Sequence, residues 1–114
     1  MKITKVNTVE SSLLTRDHPY MQGAWETFYD EYNAVNLDAI GEIPKDLDGV
    51  YIRNTENQVH EPIGRFHPFD GDGMLHSIVF NQGKADYRNR FIQTEGFQVE
   101  QKFKKSKWAG LMER

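Results

Sequence analysis

The sequence predicts an all-β fold, and three observations carry that expectation. Met74 to Phe80 and Lys84 to Thr94 both alternate with period two on either side of Asn81-Gln82-Gly83, the pattern of a hairpin. Val50-Tyr51-Ile52-Arg53, rich in β-branched and aromatic residues, follows the turn dipeptide Asp48-Gly49. Only Glu95 to Lys107 has helical spacing, through Phe97, Glu100 or Gln101 and Lys104, and its amphipathicity is weak.

In chain order, residues 1–34 read as an irregular N-terminal arm, aromatic-rich but aperiodic, with His18-Pro19-Tyr20, Trp25, Phe28, Tyr29 and Tyr32. From Val35 the pattern changes. Val35, Leu37 and Ala39 alternate with polar positions and predict a first strand, closed by Ile43-Pro44 because proline cannot donate to a ladder. Residues 44–49 connect it to the strand at Val50–Arg53. A polar loop over 54–64 leads to Arg65-Phe-His-Pro-Phe-Asp-Gly-Asp-Gly-Met-Leu-His76, in which Asp70-Gly-Asp-Gly73 supplies residues that tolerate positive φ and predicts a tight turn or bulge. The hairpin follows. On its first strand Met74, His76, Ile78 and Phe80 share a face, and on its second Tyr87, Asn89, Phe91 and Gln93 do. A short C-terminal helix ends the reading, and the division is therefore an arm at 1–34 and a β domain at 35–114.

Composition narrows function by exclusion. A net charge of −3 with no basic stripe argues against a nucleic-acid partner, since the only basic cluster, Lys102 to Lys107, reads as a solvated face. The chain has no cysteine, which removes disulfides, thiolate zinc sites and a cysteine nucleophile. Met1 to Tyr20 lack an apolar stretch of signal-peptide length, and nothing approaches the roughly 20 apolar residues of a membrane span. The expectation is a soluble, cytoplasmic protein. No Gly-x-Ser-x-Gly, phosphate loop, dinucleotide fingerprint or paired catalytic carboxylate occurs.

The 65–76 signature, taken with Gly41-Glu-Ile-Pro-Lys-Asp-Leu-Asp-Gly-Val-Tyr-Ile-Arg-Asn-Thr-Glu-Asn57 and Ala85-Asp-Tyr-Arg-Asn-Arg-Phe91, resembles the start of the carotenoid cleavage oxygenases, over about residues 22–95. The resemblance implies a seven-bladed β-propeller, of which this chain would supply the N-terminal strands, the remaining C-terminal blades being missing. It also implies Fe(II) held by four histidines in the intact enzyme, and cleavage of a conjugated alkene (a carotenoid, apocarotenoid or stilbene-like phenolic) by dioxygen into two carbonyls. It further implies peripheral membrane contact, with no patch for it assigned here. Thr55 and Glu56 stand where the family more often has Gly and Pro, which changes the stiffness of that turn and leaves the substrate open.

His18, His60, His67 and His76 equal the family's ligand count, but none lies in the context of a family ligand. By position His67 and His76 match two histidines that flank the Asp-Gly-Asp-Gly turn and do not bind iron; His18 and His60 match nothing assigned. The expectation is no catalytic, cofactor-binding or metal-binding residue in this chain, with the imidazoles orienting backbone or carboxylates. Asp70 and Asp72 flank glycine as in calcium loops, yet Met74 occupies the next ligand position and Ala85 or Ser77 would have to replace the bidentate glutamate. Both carboxylates are instead expected to accept from amides of the turn. Trp25, Phe28, Tyr29 and Tyr32 read as packing residues rather than tunnel lining.

The leading functional expectation is the N-terminal part of a non-haem Fe(II) dioxygenase, inert alone, with Trp108, Leu111 and Met112 exposed for absent partners. The alternative is a complete small all-β binding or interaction protein without catalysis. A third reading, a freestanding metal protein built on His60, His67 and His76, is weaker than either.

Overall fold

The computed structural model describes residues 1–13 and 17–110. Among them lie five strands, β1 (Lys2–Thr8), β2 (Asp30–Val35), β3 (Gly49–Asn57), β4 (Asp72–Asn81) and β5 (Lys84–Phe91). One helix, α1 (Glu95–Phe103), and two short 3-10 turns at Pro19–Met21 and Gly23–Trp25 complete the set. No described helix is long and apolar enough to cross a membrane. The chain forms two compact units: Met1–Thr8, Asp30–Thr55 and Met74–Phe91 make one, and Val9–Tyr29, Glu56–Gly73 and the described residues from Ile92 onward make the other.

The first unit is an antiparallel sheet in the order β1-β2-β5-β4-β3. The β4–β5 hairpin runs from Met74↔Phe91 to Asn81↔Lys84 as the alternation predicts. Its loop is Gln82-Gly83, with φ of 53° and 77°. Two successive left-handed residues make the turn whose twist matches that of the strands it joins. Met74, Ala85, Asn89 and Phe91 are buried on the shared face.

Where β2 meets β5 the backbone ladder is short, pairing Asn33↔Arg88 and Ala34↔Tyr87. Side chains continue it. The Asn89 amide, with no exposed surface, accepts from the Tyr32 N–H and donates to the Asp30 carbonyl at 2.8 Å. Buried Glu31 accepts from the Phe91 N–H at 2.7 Å and from the Asn7 amide at 2.9 Å, tying β5 and β1 to β2. Arg90 donates to the Tyr32 carbonyl at 3.0 Å and to Asn33 Oδ1 at 2.6 Å.

Three sequence expectations change here. Both ends of the supposed arm are strands, β1 and β2, and the described residues between them are irregular apart from the two 3-10 turns. β1 shows no alternation because all seven of its residues are exposed, and its register against β2 shifts at Val6, between Lys5 and Asn7. The strand expected over Val35–Ala39 instead ends at Val35, because Asn36 takes a left-handed φ of 56° and its N–H is held by the Asp86 carboxylate at 2.7 Å. The polar loop expected over 54–64 is strand to Asn57, and the segment 57–60 is the buried centre of the second unit.

In that second unit, Ser11 Oγ and the Ser12 N–H donate to the Val59 carbonyl, and Tyr29 Oη donates to the Gln58 carbonyl. The Phe28 N–H donates to Asn57 Oδ1 at 2.8 Å. Thr94 caps α1 by accepting from the Phe97 N–H at 3.0 Å. The helix stops four residues before Lys107, at a left-handed Lys104. Trp108 is exposed, whereas Leu111 and Met112 lie outside the described residues.

Replacing Asn89 with leucine strips partners from a part-buried N–H and a part-buried carbonyl of β2 at once. The Asn89→Leu chain is expected to lose about 2–4 kcal/mol of unfolding free energy in a urea titration. A loss below about 0.5 kcal/mol, the usual range of surface substitutions, would show that the amide does not hold β2 to β5.

Candidate functional site

The second unit contains a cleft of about 510 Å³ built around the signature turn. The turn itself centres on Pro68-Phe69: the Asp70 N–H donates to the His67 carbonyl at 2.9 Å, and Asp70 Oδ2 accepts from the His67 N–H at 3.0 Å. His67 Nδ1 accepts from the Phe69 N–H at 3.0 Å. Gly71 follows with φ of 103°, and a Cβ there would lie 2.9 Å from the Asn57 carbonyl group. Only glycine satisfies both the conformation and the close approach. Asp72 already belongs to β4, two residues earlier than alternation suggests.

The two aspartates of the signature are thus unlike. Asp70 behaves as expected, accepting from an amide of the turn. It also lies flush against Gly110, where a Cβ would come within 2.2 Å of Asp70 Oδ2. Asp72 accepts no hydrogen bond among the described residues. Burial, with the Glu100 carboxylate adding to it, pushes its carboxyl up from 3.8 to about 7.

His60 is 2% exposed and lines the same cleft. Its Nε2 faces the Gln101 Nε2 donor at 3.0 Å, so that ring nitrogen carries no proton, and Nδ1–H donates to Ser12 Oγ at 2.8 Å. Burial holds its pKa below the ordinary range, with Glu100 and then Glu10 pulling the other way. The ring is neutral and fully engaged. Glu100 accepts from the Lys107 N–H at 2.7 Å, which folds the lysine-rich segment back toward α1.

In the first unit, His76 sits in a directed chain of hydrogen bonds. Thr55 Oγ1 donates to the Met74 carbonyl at 3.2 Å and so accepts from His76 Nε2–H at 3.0 Å, leaving His76 Nδ1 to accept from Tyr87 Oη–H at 2.6 Å. Burial and the Arg53 charge depress the His76 pKa, and burial raises that of Tyr87. His18 accepts from the Tyr20 N–H at 3.1 Å at the head of a 3-10 turn. Among the described residues no group of three or more His, Asp and Glu could hold a metal ion. Trp25 and Phe28 are exposed, while Tyr32 Oη donates to Asp30 at 3.2 Å.

The cleft escaped sequence reading for an identifiable reason. Gln58 and His60 share one segment, Glu100 comes from α1 far along the chain, and none bears a motif. Only the Asp-Gly-Asp-Gly run could have pointed to it, and it does not distinguish an aspartate bonded to the turn from a half-buried one whose carboxyl is pushed up.

The family model described as retinal pigment epithelial membrane protein matches residues 25–114. The carotenoid 9,10(9',10')-cleavage dioxygenase 1 of Pisum sativum is 36% identical over 92 residues, which are 80% of this chain and 17% of that protein. The isoeugenol monooxygenase of Pseudomonas nitroreducens is 35% identical over 82% of this chain and 20% of its own length. Among solved structures, the lignostilbene dioxygenase of Pseudomonas brassicacearum superposes with a TM-score of 0.76 at 25% identity, over 83% of this chain and 20% of its own. The chain spans a fifth or less of the length of these relatives.

The raised carboxyl of Asp72 sets a pH dependence. Its folded pKa exceeds its unfolded one, so the stability linked to this group is full below about 4 and is lost as pH rises through about 7. Asp72→Asn is expected to flatten that decline, whose slope is at most about 1.4 kcal/mol per pH unit. Carboxyl-carbon NMR of Asp72 checks the cause; a midpoint near the ordinary value of about 4 would refute it.

Proposed function

Because the chain belongs to the retinal pigment epithelial membrane protein family of carotenoid cleavage oxygenases, we propose that it is the N-terminal part of a non-haem Fe(II) dioxygenase acting on a conjugated alkene. Its five-stranded antiparallel sheet is part of that family's β-propeller fold. In the reaction one carbon–carbon double bond and the dioxygen bond break, and each new carbonyl receives one oxygen atom. The observation that carries this reading is the match over residues 25–114, supported by the superposition on a dioxygenase at a TM-score of 0.76.

The residues described here do not fit the iron. His60 and His76 have both ring nitrogens engaged, and His18 and His67 each spend Nδ1 on a backbone N–H of their own turn. No catalytic step is assigned to them. In our reading the metal ligands and the apolar channel for the polyene or stilbene-like substrate belong to the rest of the enzyme. Residues 35–114 contribute to the propeller domain, and residues 1–34 form an arm whose two ends add strands to the sheet. Cytoplasmic residence with peripheral membrane contact is the corresponding proposal for location.

The test is an assay under labelled dioxygen. The 114-residue chain supplied with Fe(II) is expected to turn over neither an apocarotenoid nor a hydroxystilbene above buffer. The full-length product of its gene is expected to cleave one of them, with label in both carbonyls. Turnover by the short chain would overturn the division of labour, and a full-length product that binds no iron would overturn the enzyme reading in favour of a binding protein.

A further inference from the structure

The sequence holds three Asp-Gly pairs, Asp48-Gly49, Asp70-Gly71 and Asp72-Gly73. Such a pair can react with itself: the glycine nitrogen attacks the carboxyl carbon of the aspartate, and the missing Cβ leaves that nitrogen open to approach. The fold does not leave the three equally free to do so.

Asp70 and Asp72 are held. Asp70 Oδ2 accepts from the His67 N–H at 3.0 Å, and Gly71 is pressed so close to the Asn57 carbonyl group that a Cβ would lie 2.9 Å from it. Asp72 and Gly73 are the first two residues of β4, and the Gly73 carbonyl accepts from the Ile92 N–H at 2.8 Å. Bringing the glycine nitrogen onto the carboxyl carbon turns the aspartate backbone, so at either place this local structure must first open.

Asp48-Gly49 has other surroundings. Every residue from 44 to 54 is exposed. Asp48 lies between the turn closed by the Leu47 N–H on the Pro44 carbonyl, at 3.2 Å, and the first residue of β3, Gly49. Its side chain has no hydrogen-bond or ion-pair partner among the described residues. Gly49 has a φ of 152°, and no heavy atom lies within 4 Å of the place a Cβ would take. β3 is also an edge strand of its sheet, so moving its first residue disturbs one ladder rather than two.

We propose that Asp48-Gly49 is a site of spontaneous backbone modification, at which the aspartate isomerises through a cyclic imide to isoaspartate. The Gly49 nitrogen bonds to Cγ of the neutral Asp48 carboxyl, the C–OH bond breaks, and the amide proton leaves with the hydroxyl as water. Water then opens the ring at either carbonyl. Opening at the former backbone carbonyl sends the main chain through Cβ and Cγ and frees the α-carboxylate, the group that an isoaspartate-specific methyltransferase esterifies. Nothing is oxidised or reduced, and one methylene enters the main chain ahead of β3. Chemistry alone would favour the other pair, since the neutral carboxyl is the form that reacts and that of Asp72 is pushed up to about 7. Conformational freedom favours Asp48.

The test is to incubate the 114-residue chain at physiological temperature and neutral pH in water enriched in oxygen-18, then digest it with trypsin in ordinary water. Peptide 46–53, which carries Asp48, is expected to gain an isomer of shifted retention that holds oxygen-18 and is methylated by isoaspartyl methyltransferase. Peptide 66–84, which carries Asp70 and Asp72, is expected to convert at least about tenfold more slowly, a ratio that about 1.4 kcal/mol of local opening produces. In urea, where that opening is already made, the two are expected to convert at similar rates. Asp48→Glu, which cannot form the five-membered ring, is expected to abolish the signal in 46–53 and leave 66–84 unchanged. Equal or faster conversion of 66–84 in the folded chain, an unmodified 46–53 after the unfolded chain has converted, or a ratio that survives in urea would each overturn the proposal.

Discussion

The sheet depends on a buried amide. Between β2 and β5 the backbone supplies the pairs Asn33↔Arg88 and Ala34↔Tyr87, and beyond them the strands are joined by Asn89, Glu31 and Arg90. An asparagine side chain carries one acceptor and two donors, the complement of one residue's carbonyl and the next N–H, so Asn89 can imitate a stretch of partner strand. Glu31 does the same with its two carboxylate oxygens, one toward Phe91 and one toward Asn7. This is how a strand as polar as Asp30-Glu-Tyr-Asn-Ala-Val35 remains in the sheet's interior order while only Glu31 and Ala34 are buried.

That arrangement explains what the sequence could and could not disclose. The β4–β5 hairpin was legible because its stability lies in features that sequence displays: strict alternation, and a two-residue loop ending in glycine. β1 and β2 were not, because every residue of one is exposed, leaving no buried apolar face to pattern it, and side-chain hydrogen bonds replace apolar burial in the other. Alternation misled at Val35–Ala39, where Asn36 adopts a left-handed conformation that turns the chain out of the strand. The polar look of 57–60 concealed a core segment for a related reason: Asn57, Gln58 and His60 are buried with partners drawn from residues 11–29 and from α1. Polarity marks solvent only when hydrogen bonds are unavailable inside.

The histidines make the same point at the level of chemistry. Counting four of them invites an iron site, yet each is committed to local work. His76 and His60 have opposite tautomers, and neighbours fix both: a threonine hydroxyl that must donate to a carbonyl sets the first, and a glutamine amide that can only donate sets the second. Burial then keeps both rings neutral, so neither tautomer is lost to protonation near neutral pH. At His60 and His76 both ring nitrogens are taken up by neighbouring side chains, and at His18 and His67 Nδ1 accepts from a backbone N–H of the local turn.

The signature turn joins both themes, because its two aspartates have the same sequence surroundings and opposite circumstances. Asp70 is bonded to the turn and seals against Gly110; Gly71 between them is dictated by its positive φ and by the Asn57 carbonyl beneath it. Those three features are explained by folding alone. Asp72 differs, because it is half-buried beside Glu100 and its carboxyl is pushed up to about 7, so its surroundings disfavour the charged form.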